Sequence, residues 1–394
     1  MKKFSLILVM FFILALFSGC THEMVSLYIY KMPDKLVYNI NEELDISGLQ
    51  LKNIKTDSAL LSINNKNVNF SGFDSSTSGI KEVVISYGKW TTSFNIYVAN
   101  KVASNNDELV AQISNLEDDD ILLIKKGSYE LKSPIEINNS NIVIGGEGMD
   151  KTIINSFCII GGYQSSGEII YNNLANNVVI VGVGFENESI INDSVVKFVN
   201  DNYNYKLGCI NSQKSQGLKI IACNFKGFSY GVKCEELENA LITASKFDEL
   251  FVGGIEVTKS AQNTTISKNI IQNIGNSVVN LNENNNQDNL FGIKLAFNKE
   301  ANCGVSLYKN SISKIGLRNE ELKFLNEKVK GDFNNLNYMY HSAGIILHSS
   351  DKNNLQTNGI SIFFNSIGTT LNNILYNTNE NDSVNSNSVL YMAM

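Results

Sequence analysis

From Ile180 onward apolar residues recur with a period of two inside a repeated unit. The unit is an aliphatic residue, two variable residues, a small residue or asparagine, one more residue, and then Phe or Ile. It runs Ile180 to Phe185, Ile220 to Phe225, Ile242 to Phe247, Ile266 to Ile271, Leu307 to Ile312 and Ile362 to Ile367. Its fourth position holds Val183, Cys223, Ser245, Asn269, Asn310 and Asn365. A second unit, glycine followed by an alternating apolar strand, begins at Gly231, Gly254, Gly292 and Gly344. Ile220 and Ile242 are 22 residues apart and Ile242 and Ile266 are 24, the length of one turn of a parallel β-helix. Helical repeats would need long stretches with a period of 3.6; none fits, and β-branched residues dominate. Stacked turns bury a continuous aliphatic column, and an asparagine at a repeated turn position bonds to its copy one turn above. Cys223 at that position and Cys234 on the inner face are then core thiols.

Residues 24–99 alternate in shorter runs separated by turn residues, as strands do. Val83, Ile85 and Tyr87 share one face and Phe94, Ile96 and Val98 another, across a turn at Gly88-Lys89, which predicts a hairpin closing a small sandwich. Three phrases follow in order: an opening with Tyr38, Glu43, Leu44, Asp45 and Gly48, a turn with Gly72, Phe73, Asp74 and Gly79, and an ending with Tyr87 and Gly88. On these residues the segment resembles the bacterial Ig-like domains of group 3, and the resemblance implies a spacer or a weak ligand-binding unit. Trp90 has two readings, a platform for stacking a sugar or, more plainly, a cap on a small core.

Between the two patterns, Gly127, Tyr129, Pro134, Ile144, Gly146, Gly148, Thr152 and Ile153 stand in phrases similar to the opening turns of pectin-lyase-like proteins. Residues 107–116 are then a short helix closing the hydrophobic column. The predicted chain is all-β: a small Ig-like β-sandwich, followed by a right-handed parallel β-helix of the pectin-lyase-like kind over residues 105–370. Residues 371–394, rich in Asn and Ser, are a tail or a frayed last turn. A fold of this kind fixes the architecture and leaves the chemistry to the site.

The first 20 residues change the picture of where the protein works. Lys2 and Lys3 precede an apolar run from Leu6 to Phe17 that is short for a membrane span, then Ser18, Gly19 and Cys20. The ending resembles a bacterial lipobox. That resemblance implies cleavage before Cys20, acyl chains on its sulfur, and an exported protein held to the membrane by those chains without a spanning helix. Thr21 after the cysteine favours the outer membrane or cell surface. The other five cysteines, Cys158, Cys209, Cys223, Cys234 and Cys303, have no close paired spacing, so neither a metal site, a cofactor nor a disulfide framework is expected. A net charge of -7 and the single arginine, Arg318, argue against a nucleic-acid partner.

The functional face follows from the lengths between units. Ile220 to Gly231 is 11 residues and Ile242 to Gly254 is 12, but Ile266 to Gly292 is 26 and Leu307 to Gly344 is 37. Residues 276–291 and 317–342 are therefore insertions at one corner of neighbouring turns, where solenoids build binding faces. Alternation sends Lys233, Glu256, Lys294 and Ile346 outward in one column and Glu235, Thr258, Ala296 and His348 in the next. Two readings of this face stand side by side. In one, Lys294 or Lys233 neutralises a uronate, His348 or His341 removes a proton and Arg318 assists, the pairing that β-elimination needs. In the other, Lys233, Glu256 and Lys294 are a surface charge ladder joining the turns. The catalytic signatures of the polysaccharide enzymes that share this fold, such as Arg-x-Pro-x-x-Arg or paired aspartates with His-Gly, are missing from the sequence. Asp118, Asp119 and Asp120 are expected to end the capping helix in solvent. The leading expectation is a lipid-anchored envelope or surface protein that binds polysaccharide or another surface ligand. The alternatives are a lyase or glycoside hydrolase acting on an acidic glycan, and a structural envelope component.

Overall fold

The computed structural model describes residues 27–53, 60–64, 66–131, 133–156, 170–173, 175–186, 208–228, 230–250, 252–274, 290–298, 303–315, 342–349, 360–363, 365–368 and 372–377. The chain divides into two compact units. The first comprises the described residues up to Pro33 with Gly48–Phe73 and Glu82–Asn95, and the second Asp34–Ser47, Asp74–Lys81 and the chain from Ile96.

In the first unit, strands Leu27–Lys31, Gln50–Asn53 and Leu60–Leu61 form an antiparallel sheet. Leu27, Ile29 and Leu51 alternate with more exposed neighbours and are buried, the period-two pattern of a half-buried strand. The predicted hairpin is present as strands Gly79–Tyr87 and Trp90–Val98, and Gly88 turns between them at φ 61. Val83, Ile85 and Phe94 are buried as expected, while Tyr87 is only half-buried.

The second unit contains a parallel β-helix with three faces. Face A stacks Gly127–Leu131, Thr152–Ser156, Gly184–Glu186, Asn224–Lys226, Lys246–Asp248, Ile270–Ile274, Ser311–Ile315 and Ser366–Gly368. Face B stacks Ile135–Ile137, Ile170–Asn173, Gly208–Gln216, Tyr230–Glu238, the first part of Gly253–Ser267, Leu290–Phe297, Ser342–Ser349 and Asn372–Asn377. Face C stacks Lys101–Ala103, Ile121–Ile124, Val143–Gly146, Val179–Val181, Lys219–Ile221, Leu241–Thr243, the last part of Gly253–Ser267, Cys303–Tyr308 and Ile360–Phe363. From Ile121 the chain visits C, A and B in turn, and neighbouring strands within each face pair in parallel one turn apart.

The predicted columns face inward. Ile180, Ile220, Ile242, Ile266 and Leu307 on face C are 0 % exposed, and so are Phe185, Phe225, Phe247 and Ile271 on face A. The phenyl rings stack, Phe225 on Phe247 at 4.8 Å and 17°. On face B, Gly231, Gly254 and Gly292 make room for them. A Cβ on Gly231 would lie 2.4 Å from Phe247, and one on Gly254 2.9 Å from Ile271 and 2.6 Å from the Gly292 carbonyl. Cys223 and Cys234 are fully buried, and burial pushes both thiols up to about 12.

The cap is a helix over Asn106–Ser114. Asn105 accepts from the Glu108 amide, and Glu108 accepts in return from the Ser104 amide, satisfying donors that a helix start leaves open. Leu109 enters the column. One expectation beside it fails. Asp120 is not in solvent but 5 % exposed, accepting from Asn100 at 2.7 Å and from the Glu117 amide at 2.7 Å, with Lys101 at 3.1 Å. Burial alone would raise its pKa, and these donors hold it below the ordinary value. Pattern reading placed it by its acidic neighbours and had no access to partners 20 residues earlier in the chain.

All three corners of the coil use left-handed backbone, the one between faces A and B at Gly227, Glu249, Asn273 and Lys314. Between faces C and A, Gly182, Ala222, Ala244, Lys268 and Lys309 have φ from 51° to 67°. The residue after each is the predicted ladder: the Ser245 amide donates to Asn269 Oδ1 at 3.0 Å, the Asn269 amide to Asn310 Oδ1 at 3.1 Å, and the Asn310 amide to Asn365 Oδ1 at 2.9 Å. Between faces B and C, Asn141, Asn177, Gly217, Asn239 and Asn263 repeat the left-handed conformation outside the core. Within the same unit, Lys35 pairs with Glu42 and lies 3.6 Å from Glu147, which Lys125 approaches at 3.3 Å.

Candidate functional site

Face B carries the predicted outward columns in the predicted register. Lys233 pairs in sequence position with Glu256, Glu256 with Lys294, and Lys294 with Ile346. Strand alternation causes this: Val232, Ile255, Ile293 and Ile345 occupy the core, so their successors project outward. Lys294 Nζ lies 3.0 Å from Glu256 Oε1 and Lys233 Nζ 3.5 Å from Glu256 Oε2, so one carboxylate is held between two ammonium groups.

The ladder is not the fully exposed one expected. The Glu256 side chain is 6 % exposed, against 23 % for Lys233 and 27 % for Lys294. Ile346, at 1 %, is buried although it points away from the core. It belongs to a second apolar cluster with Tyr230, Val252, Phe291 and Ala343 on the outward side of face B. A Cβ on Gly253 would lie 2.3 Å from the Phe291 ring, which occupies that place and comes within 6.0 Å of the Tyr230 ring. Lys233 Nζ sits 5.2 Å from the Tyr230 centroid and Lys294 Nζ 5.6 Å from that of Phe291, so the rings hold both ammonium groups over Glu256. A carboxylate out of water is stable when its charge is matched this closely. Sequence reasoning missed Tyr230 and Phe291. Their signal was an aromatic residue immediately before the glycines at 231 and 292.

The second column also stands in register, Glu235 with Thr258, Thr258 with Ala296, and Ala296 with His348. Glu235 is 2.5 Å from Lys259, whose ammonium it favours, raising that pKa. For His348 only the backbone position is described, and His341, Arg318 and Cys20 lie outside the described residues. Trp90 opens the strand Trp90–Val98 of the hairpin, half-buried, with Lys89 Nζ 4.8 Å from its ring. The expected insertions, residues 276–291 and 317–342, fall between the face A strands that end at Ile274 and Ile315 and the face B strands that begin at Leu290 and Ser342, and all but their last residues lie outside the described residues. Phe291 belongs to the strand and not to the insertion. Residues 157–169 and 187–207, which fall between a face A and a face B strand on earlier turns, lie outside the described residues.

Residues 32–98 match the sequence model of the bacterial Ig-like domain (group 3), so this segment is such a domain. No curated protein matches the chain. Among solved structures, the catalytic unit of a GH87 alpha-1,3-glucanase from Streptomyces thermodiastaticus is similar at 9 % identity and a TM-score of 0.41, with 87 % of this chain and 62 % of that one covered. The chain thus spans less than two thirds of that unit's length. Pectin methylesterase from carrot is similar at 11 % identity and a TM-score of 0.35, covering 70 % of this chain and 83 % of that one. The pectin methylesterase from Yersinia enterocolitica gives 11 %, 0.37, 66 % and 89 %.

Proposed function

We propose that the protein is exported, anchored to the membrane through acyl chains on Cys20, and binds an acidic polysaccharide along face B without cleaving it. The observation that carries this reading is the Lys233, Glu256, Lys294 stack, two cations on one buried carboxylate with a net charge of one positive unit. An ammonium group carries three donors, so Lys294 can meet a sugar acid beside its contact with Glu256. The same arrangement argues against chemistry by these groups. Glu256 is engaged by both lysines and is poorly placed to accept a substrate proton.

Affinity electrophoresis of the full chain in polygalacturonate tests the binding. Replacing both lysines (K233A with K294A) should weaken retention about ten-fold, ~1.4 kcal/mol, and leave a neutral dextran gel unaffected. Unchanged retention would remove face B as the site, and accumulation of unsaturated sugar ends would replace binding with a lyase. The anchor has its own test: C20S should lose both incorporation of a palmitate analogue and recovery in the membrane fraction.

A further inference from the structure

Two faces away from that stack, the corner between faces C and A changes character along the coil. Its left-handed residue is Gly182, Ala222 and Ala244 on three turns, then Lys268 and Lys309 on the next two, at φ 57° and 56°. Left-handed backbone costs a lysine as much as an alanine and more than a glycine, so the backbone does not account for these side chains. The outward residue beside them changes one turn later. Face C carries Thr243 and Ser267 there, then Tyr308 and Phe363. These two rings stack at 5.1 Å and 7°, and Phe363 is 41 % exposed. Ser267 and Lys268 are consecutive, as are Tyr308 and Lys309, and the Lys268 amide donates to the Tyr308 carbonyl at 3.1 Å. Lys268 and Lys309 therefore occupy the same place on successive turns, the second of them next to an aromatic pair.

We infer that this corner is a second binding site, for the charged sugars of an anionic polysaccharide, with the sugar ring against Tyr308 and Phe363 and its carboxylate or sulfate on Lys268 and Lys309. An aromatic face suits the C–H side of a sugar ring, and paired ammonium groups suit an anion that bridges them. Burial first, and Lys309 second, push the Lys268 ammonium below the ordinary lysine range, and an anion bound there would act in the opposite sense. Alanine is an accepted residue at this turn, since Ala244 and Ala222 hold the same backbone one and two turns before Lys268. Removing the lysines therefore tests the site without breaking the coil.

The experiment is affinity electrophoresis of the full chain in polygalacturonate, chondroitin sulfate and neutral dextran, with thermal midpoints recorded in parallel. K268A with K309A should weaken retention in both anionic polymers about ten-fold, with no change in dextran or in midpoint. K268R with K309R should retain binding, and F363A should weaken it about three-fold. In a background already lacking Lys233 and Lys294, the corner pair should abolish what retention is left. If the face B pair alone has no effect and the corner pair does, the corner stands and the face B reading falls. Wild-type retention by K268A with K309A, or a native chain bound by neither anionic polymer, overturns the inference.

Discussion

Two corners of the same coil repeat asparagine, after a left-handed residue at one and in the left-handed conformation itself at the other, and to different ends. Between faces C and A the ladder side chains are inside: Asn269 and Asn310 are 1 % exposed, and each gives its amide hydrogens to a face C carbonyl and to the next asparagine. Between faces B and C the side chains are outside. Asn177 donates to Asn141 at 2.9 Å and Asn263 to Asn239 at 2.6 Å, with Gly217 interrupting the row. Inside, the amide answers backbone groups that water cannot reach. Outside, water is available to every partner, so the side chain contributes the backbone conformation and little else.

The largest effect that would break this contrast is at Asn310. Asn310→Ala removes the acceptor for the Asn269 amide and the donor to the Ile266 carbonyl, and should cost about 2–4 kcal/mol in urea unfolding. A loss no larger than at the outer corner would show that the interior row is not special. Next comes Gly217→Ala. Its φ of 75° and a Cβ 2.3 Å from Asn177 Oδ1 should cost about 1–2 kcal/mol, most of it in the backbone, since the carboxamide end can turn away.

Acid sharpens the contrast because amides do not titrate. Burial would raise the pKa of Glu42 and of Glu147. For Glu42 the Lys35 contact overcomes this, and for Glu147 the Lys126 amide and Lys125 do, leaving both below the ordinary 4.5. A carboxylate lower in the folded than in the unfolded chain stabilises above its unfolded value and loses that contribution as pH falls through the folded one. The thermal midpoint should therefore fall below about pH 4.5, with the gap between Asn310→Ala and wild type unchanged. The smallest effect is at Asn263, where glycine keeps the φ of 46° available. Asn263→Gly should change stability by less than about 0.5 kcal/mol by the same unfolding measurement.

The coil was legible because its signal is local and repeated. Ile242, Ile266 and their copies mark the inward column by spacing alone, and Ser245, Asn269 and Asn310 mark the ladder. Register on face B follows from alternation, which is why the sequence alone aligns Lys233, Glu256 and Lys294. What alternation cannot give is burial on an outward face. Tyr230 and Phe291 close over the stack from strand starts, and Gly253 makes the space, so Glu256 left the surface without a change of direction. The outer asparagine row escaped notice for a related reason. Its members Asn141, Asn177, Asn239 and Asn263 sit among many other asparagines, with Gly217 breaking the repeat.

The central claim, that face B holds an acidic sugar between its two lysines, is tested most directly by a crystal structure of the full chain with a short oligogalacturonate. The account predicts a sugar carboxylate within hydrogen-bond distance of Lys233 Nζ or Lys294 Nζ, with Glu256 still between them. Sugar found only away from face B, or a cleaved unsaturated product there, would contradict it.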